Sequence, residues 1–496
     1  MRPSTEDNQT YGPSLPWAKF FTLAFWRVFY SRPCGARDVL RLTFPFMVSF
    51  GTITIVTLTD RLCLSWYDPY EMNAAFQSSC LFWTLAVFPT GIGTFVNTFV
   101  SQYNGAGQNK RIGPVVWQGV FIGIAFGALV MAITPLIGPF FRAVGATDST
   151  AALEQKYWAY MSLGAIAAIA LEPLCSFFEG LCEPKTVMIF ALAGMLVNVV
   201  LDPILIFGVC GRLRLGLVGA GIASAVSFWT MFLLLLYAAF KRDATGELGF
   251  RSGCRFNMPE MKRLTYYGSM SAAQQSVEHV FFGVFTLLMG WLGDDESAAT
   301  AIGYNLNSLL YMPAAGMGLA ATTLVGNYLG AGKPRLARRA TFTSIALAAS
   351  FAAVFSVAFL AAPGFFVGLY GLGDPDAFEK IRPIAVMILR IVAVYLYVDA
   401  CNLIFTGALR GAGDARFIMR ATFIIVGLAL AALFIGVRVA GFGVYWCWWA
   451  LTGYLTANTL VFFIRFARGK WATKTLVDAT PHLVDSSFKS DDNKGR

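Results

Sequence analysis

Val100-Ser101-Gln102-Tyr103-Asn104-Gly105-Ala106-Gly107, followed two residues later by Lys110, closes one long apolar segment; Val325-Gly326-Asn327-Tyr328-Leu329-Gly330-Ala331-Gly332, followed two residues later by Arg335, closes another, 225 positions on. The flanks repeat as well. Arg41-Leu42-Thr43 is matched by Arg263-Leu264-Thr265 at a spacing of 222, and Glu183-Pro184-Lys185 by Asp414-Ala415-Arg416 at a spacing of 231. A chain that repeats itself at this distance is built as two halves, and internal repeats mark secondary transporters, whose site lies between the repeats near the bilayer midplane.

Composition names the solvent. With 57% hydrophobic and 13% charged residues over 496 positions, the chain has too little polar surface to enclose a water-soluble core. Apolar stretches long enough to cross a hydrocarbon core of roughly 30 Å run over 42–66, 73–100, 113–136, 157–178, 187–210, 215–240, 264–292, 297–328, 339–363, 383–409, 417–437 and 441–467. These segments lack the alternation of barrel strands, and backbone polar groups in lipid must pair internally, so they are helices. The expected fold is an all-α integral membrane protein with twelve transmembrane helices in two pseudo-symmetric six-helix lobes.

The arrangement divides into an N-terminal tail with an interfacial helix (1–41), an N-lobe (42–240), a linker (241–262), a C-lobe (263–467) and a disordered tail (468–496). Both termini in the cytoplasm put 29 of the 38 Lys and Arg on the inner side and 7 outside, leaving Arg61 and Arg390 within helices. The net charge of +10 thus reflects loop asymmetry and contact with the lipid bilayer; nucleic acid is not needed to explain it. The stretch Trp17 to Tyr30 carries Lys19 and Arg27 and lacks a small-residue cleavage site, so it reads as interfacial and not as a signal peptide. Nine cysteines without paired spacing read as small packing residues.

Several motifs in order carry a resemblance: the two Gly-Ala-Gly helix ends, Phe177-Phe178-Glu179-Gly180-Leu181-Cys182-Glu183-Pro184-Lys185, Gly407-Ala408-Leu409-Arg410-Gly411-Ala412-Gly413-Asp414, and Gly216-Leu217-Val218-Gly219-Ala220-Gly221-Ile222-Ala223. Over roughly residues 40 to 465 the chain resembles the multidrug and toxic compound extrusion (MATE) family, NorM-like branch. The resemblance implies a V-shaped pair of lobes and cation-coupled export of small organic cations and amphipathic drugs, with H+ or Na+ as coupling ion and no cofactor. It also implies a multi-pass protein of the inner membrane, read as a monomer.

Carboxylates at membrane depth cost about 2.5 to 3.5 kcal/mol each on insertion scales, so Asp60, Asp202, Glu278 and Asp399 ask for a reason. Asn198 and Asp202 share one helix face, one turn apart, and their oxygens suit a proton or a hard ion such as Na+. A packing hydrogen bond is the competing reading. By resemblance, Asp60, Asn198, Asp202 and Ser224 form an N-lobe cation site, with Ser224 in place of a commoner threonine and Tyr160 lining the cavity. In the C-lobe, Tyr395 and Asp399 share a face, and the resemblance adds Glu278 around a monovalent cation. Trp83, Tyr304, Tyr311 and Met312 are candidates for a cation-attracting substrate cavity, against the alternative that they face lipid or core.

A carboxylate neutralised by H+ or Na+ releases a cationic substrate that competes for the same charge. Two lobes rocking about kinks at Pro45, Pro89, Pro135, Pro173 and Pro313 would expose the site alternately. A flippase for lipid-linked or amphipathic substrates is the alternative; it would be expected to carry cationic residues in its cavity. An enzyme is disfavoured because the two histidines, His279 and His482, belong to no catalytic constellation.

Overall fold

Hydrocarbon leaves a backbone no partner but itself, and every regular element of the described residues is accordingly a helix. The structure, a computed structural model, describes Tyr30 and residues 32–208, 214–370 and 375–477. Twelve long helices follow one another: α1 Ala36–Tyr67, α2 Pro69–Gly105, α3 Ile112–Ala132, α4 Asp148–Gly180, α5 Pro184–Phe207, α6 Leu217–Arg242, α7 Met258–Leu292, α8 Asp294–Gly330, α9 Pro334–Ala361, α10 Pro375–Gly411, α11 Ala415–Phe434 and α12 Val444–Ala467. Ten qualify as membrane spans by length and composition, and α8, bent by 45° between Ser308 and Leu310, brings the number to eleven. The expected twelfth span, α7, has the length, at 35 residues, but not the apolarity. Its run Gln274-Gln275-Ser276-Val277-Glu278-His279 is too polar.

Proline places some of the breaks. Pro313 has no N–H to give the carbonyl of Leu309, which is where α8 bends. Pro135 sits in the first turn of a short helix, Thr134–Ala143, that follows α3 after a break at Ile133. Pro45, Pro89 and Pro173 lie inside continuous helices.

Within the first six helices, α2 packs on α4, α3 on α4, α1 on α5 and α5 on α6; in the last six, α8 packs on α9 and α10, α10 on α12 and α7 on α11. The halves meet where α2 packs against α7 and α8, and α8 against α1. Separate apolar cores fill each half. Phe82, Tyr157 and Trp158 belong to one cluster, and Phe281, Phe285, Trp448 and Tyr454 to another.

One segment, the tail, departs from the sequence reading, and another, the linker, is held more firmly than its composition alone requires. The linker is tied down: the buried carboxylate of Asp243 accepts the backbone N–H groups of Leu248 and Phe250, both at 2.7 Å, and Trp117 Nε1 donates to the Phe250 carbonyl at 2.8 Å. The tail expected to be disordered from 468 is ordered through Val477. Trp471 stacks on Phe466 at 4.6 Å, Lys474 Nζ reaches Asp414 Oδ1 at 2.6 Å, and Leu476 and Val477 are buried. Burial of these three apolar side chains, which a polar average over the tail conceals, accounts for the order. The expected interfacial helix and positions 478–496 lie outside the described residues, Tyr30 excepted.

Candidate functional site: two acidic centres and a glycine joint

The repeated phrase that divides the sequence also joins the halves. At Gly105 an added Cβ would strike the Asn327 carbonyl, and at Gly330 it would strike the Gln102 carbonyl, so glycine is required for α2 and α8 to touch. Two residues on, Gly107 and Gly332 both have φ of +69°, the left-handed turn that ends each helix. Polar side chains lace the contact symmetrically. Gln102 Nε2 donates to the Gly411 carbonyl at 2.9 Å, and its counterpart Asn327 donates through Nδ2 to the Gly180 carbonyl at 3.0 Å. Asn104 Nδ2 donates to Asn327 Oδ1 at 2.7 Å, and Thr98 Oγ1 to the Arg410 carbonyl at 3.1 Å. The ordered tail straps this joint: the Leu476 N–H donates to Gln102 Oε1 at 2.8 Å, while Asp414 binds Lys474 and Arg465.

The first acidic centre lies between α1, α5 and α6. Ser227 Oγ donates to the Gly194 carbonyl at 2.6 Å and pins α5 against α6. This brings Asn198 Nδ2 to Asp60 Oδ1 at 3.4 Å and Ser224 Oγ to Asp60 Oδ2 at 3.3 Å. Asp202 and Asn198 are fully buried; both Asp202 oxygens and Asn198 Oδ1 receive no donor from the described residues. The Asp202 carboxyl faces that of Asp60 within reach of one shared proton. Arg61 turns away, its guanidinium 4.7 Å from the Phe76 ring centroid. Asp60, Asn198, Asp202 and Ser224 thus come together, as the sequence predicts. Tyr160 does not join them. It packs at Gly221, whereas Tyr157, one turn earlier, accepts a hydrogen bond from Ser79 at 3.3 Å and stands beside Ser224 in the field of both acids. Both tyrosines sit in the same uninterrupted stretch of α4, Asp148–Met161, three residues apart, so spacing alone does not say which of them meets Ser224.

The second centre is organised differently. Tyr454 Oη, from α12, donates to Glu278 Oε1 at 3.4 Å, Gln274 supports the same carboxylate from one turn earlier, and Arg410 Nη2 donates to Gln274 Oε1 at 3.1 Å. Neither Tyr454 nor Arg410 is apparent as a site residue from spacing alone. Arg410 appears in the sequence as part of a loop motif, and only the packing of α10 against α8 and its bond to Gln274 show that it turns inward. Asp399 is 6% exposed, without a hydrogen bond among the described residues, and lines a small pocket with Leu310, Met317, Phe351 and Leu396. Tyr395, one turn before it, packs edge-on against Trp448 and stands in the field of Asp399, so Tyr395 and Asp399 are neighbours while Glu278 has a separate set of partners. Asp399 and Glu278 still feel each other's charge.

The four cavity candidates divide. Tyr304 and Tyr311 are 50% and 44% exposed and stand in the field of Asp399. Trp83 packs edge-on against Phe228 in the first half, at 6.1 Å, and Met312 is half-buried beside Pro313.

The model of the MatE family matches residues 45–204 and again 271–435, one match in each half. A protein named as a probable multidrug resistance protein NorM from Burkholderia mallei is 28% identical over 446 residues, covering 90% of this chain and 95% of the relative. The multidrug resistance protein MdtK of Proteus mirabilis is 29% identical over 405 residues, covering 79% and 86%. Among solved structures, an outward-facing multidrug resistance MATE family transporter superposes with a TM-score of 0.79 at 20% identity, covering 89% of this chain and 97% of that one. A transporter of the MOP superfamily from Pyrococcus furiosus, described as having a binding pocket of reversed polarity, gives 0.78 at 20% identity, covering 90% and 98%. With twofold packing, paired glycine ends and a family match that spans both repeats, this chain belongs to the MatE family of membrane transporters.

Proposed function

We propose that the protein is a secondary multidrug exporter that exchanges H+ or Na+ for small organic cations and amphipathic drugs. Its place is the inner membrane, as a monomer, with both termini and the basic loops in the cytoplasm. The observation that carries this reading is the pair Asp60 and Asp202: two facing carboxylates, one fully buried, with Asn198 and Ser224 as neutral partners and no cation bound to them among the described residues. A buried carboxylate without a counter-charge is unfavourable in hydrocarbon, so it draws in whichever cation can reach it. A proton or Na+ entering from outside neutralises the pair; an organic cation from the cytoplasm needs the same charge, so each expels the other. The names of the relatives support the substrate class.

With the basic loops inside, the glycine joint is the cytoplasmic closure, and the arrangement is that of a transporter closed on the inner side. Asp60 lies seven residues before the end of α1 at Tyr67, about 10 Å from the opposite end, within reach of external ions. Tyr304, Tyr311 and Asp399 supply ring faces and one negative charge for an organic cation.

The test is ethidium efflux from proteoliposomes under separately imposed Na+ and H+ gradients, comparing the native chain with Asp202→Asn, Asp399→Asn and their double variant. Loss of gradient-driven efflux in Asp202→Asn supports the mechanism, and the gradient that works names the ion. Full transport by all three variants would defeat it. The alternative, a flippase, would show gradient-independent movement of a fluorescent lipid analogue and no ethidium efflux.

A further inference from the structure

The 231-residue repeat spacing that pairs Glu183 with Asp414 also pairs Glu179 with Arg410. The twofold-related positions of the joint therefore carry opposite charges. Each is held by a polar side chain. Asn97 Nδ2 donates to Glu179 Oε2 at 3.2 Å, and Thr323 of α8 donates to Asn97 Oδ1 at 3.2 Å, so the glutamate is wired across the halves. Arg410 is wired to the second acidic centre: its Nη2 donates to Gln274 Oε1, and Gln274, 1% exposed, supports Glu278. Arg410 Nε is shielded from solvent with no hydrogen-bond partner, and the guanidinium makes no ion pair among the described residues. Its main chain belongs to the joint, because Thr98 and Gln102 of α2 hold the carbonyls of residues 410 and 411.

A guanidinium keeps its charge at any pH that a protein survives, so a shielded one needs an anion nearby. Glu278 is that anion, reached through one amide. We propose that Arg410 is a positioning residue that couples loading of Glu278 to opening of the cytoplasmic joint. While Glu278 is anionic, the guanidinium rests on Gln274 and the joint stays shut. When a coupling cation neutralises Glu278, Arg410 loses its counter-charge and is driven toward water, which it reaches by separating the end of α10 from α2. Loading from outside thereby opens the inside, the order that an antiporter requires. The groups that face the Arg410 guanidinium from the packed elements are Glu278 and the uncharged Gln274 on α7 and Tyr311 on α8, while Thr98 on α2 holds its carbonyl.

This inference rests on the antiport reading, and its test separates the two. Spin labels on Lys110→Cys and Lys333→Cys, exposed positions just beyond the two glycine turns, in a background whose nine cysteines are replaced by serine, report the width of the joint by pulsed dipolar spectroscopy. In otherwise native protein, the coupling cation that drives ethidium efflux is expected to move the population to longer distances. Arg410→Gln should be open without the cation and lose at least about two-thirds of the cation-induced change. Gln274→Leu, which cuts the relay and leaves the charge in place, should lose the response as well, and Arg410→Lys should recover part of it. A melting temperature on each variant identifies one that has merely failed to fold, and Gln274→Leu then carries the test. A native cation response in both Arg410→Gln and Gln274→Leu, with Glu278→Gln unresponsive, overturns the role of Arg410 and leaves antiport intact. No response in the native chain, together with full efflux by Asp202→Asn, overturns the antiport reading itself.

Discussion

The two acidic centres of this transporter solve the problem of buried charge in opposite ways. In the first half, Asp60 and Asp202 face each other with Asn198, Ser224 and Tyr157 around them, and Arg61, whose guanidinium lies over Phe76, acts on Asp60 through its charge without bonding to it. In the second half, Glu278 has a tyrosine, an amide and, through the amide, the permanent charge of Arg410. A site whose neighbouring cation is not bonded into it is left to take one from solution, whereas a site with a cation wired to it can exist empty. The first centre is thus suited to binding the coupling ion tightly, and the second to reporting its arrival.

The largest expected effect breaks that comparison directly. Asp60→Asn and Asp202→Asn each remove one of the facing carboxylates, and gradient-driven ethidium efflux should fall on the order of a hundredfold, about 2.7 kcal/mol. Glu278→Gln should cost less, about tenfold, because the facing carboxylates of the first centre still take the coupling ion and only the link from loading to the joint is lost. Efflux measured at saturating ethidium in proteoliposomes, normalised to reconstituted protein, gives both numbers. If Glu278→Gln proves the more damaging, the assignment of roles to the two halves is reversed.

A second comparison concerns the halves as repeats. Gly105→Ala and Gly330→Ala place a methyl against the partner helix's carbonyl in equivalent positions. Overpacking of this kind costs about 1 to 3 kcal/mol. Each variant should lengthen the Lys110–Lys333 label distance, and the two should do so alike. An effect of Gly105→Ala without one of Gly330→Ala would show that the twofold is only a relic of sequence. The strap that crosses this joint should matter less: Leu476→Ser, which keeps the backbone bond to Gln102 and removes the apolar anchor, should lower the melting temperature by about 2 to 4 °C.

Much of this architecture could be read before any coordinates. The paired Gly-Ala-Gly ends announce two halves because each glycine answers a separate demand, close approach at Gly105 and Gly330 and positive φ at Gly107 and Gly332. Of the quartet, Asn198 and Asp202 are legible from their i, i+4 spacing, which fixes a shared face of α5, while Asp60 and Ser224 join them through the family resemblance. What spacing cannot show is which face of one helix meets another. Arg410 appears in the sequence as one more basic residue of a loop motif, and only its bond to Gln274 across the helices shows that it turns inward. Tyr454 is similarly hidden in an apolar segment at the far end of the chain. Composition conceals the ordered tail, because an average over 468–496 lets polar neighbours outweigh Trp471, Leu476 and Val477. The polar run of α7 weakens the twelfth span as a membrane segment for the same reason that it makes that helix useful: it carries the second centre.

The smallest expected effect is also the finest discriminator of register. Tyr157 and Tyr160 are three residues apart on α4, yet only Tyr157 stands beside Ser224 and within the field of the acid pair. Tyr157→Phe removes one hydrogen bond next to the cation pocket, worth about 0.7 kcal/mol, so the apparent affinity for the coupling ion should weaken about threefold with little change in maximal efflux. Tyr160→Phe should leave both quantities within error. A hydroxyl that lies on the ion's path would slow maximal efflux when deleted, while one that only shapes the empty pocket changes affinity alone. A drop in maximal efflux from Tyr157→Phe would therefore place this residue on the route by which the ion enters, and equal effects at both positions would mean that α4 turns between the two states of the transporter.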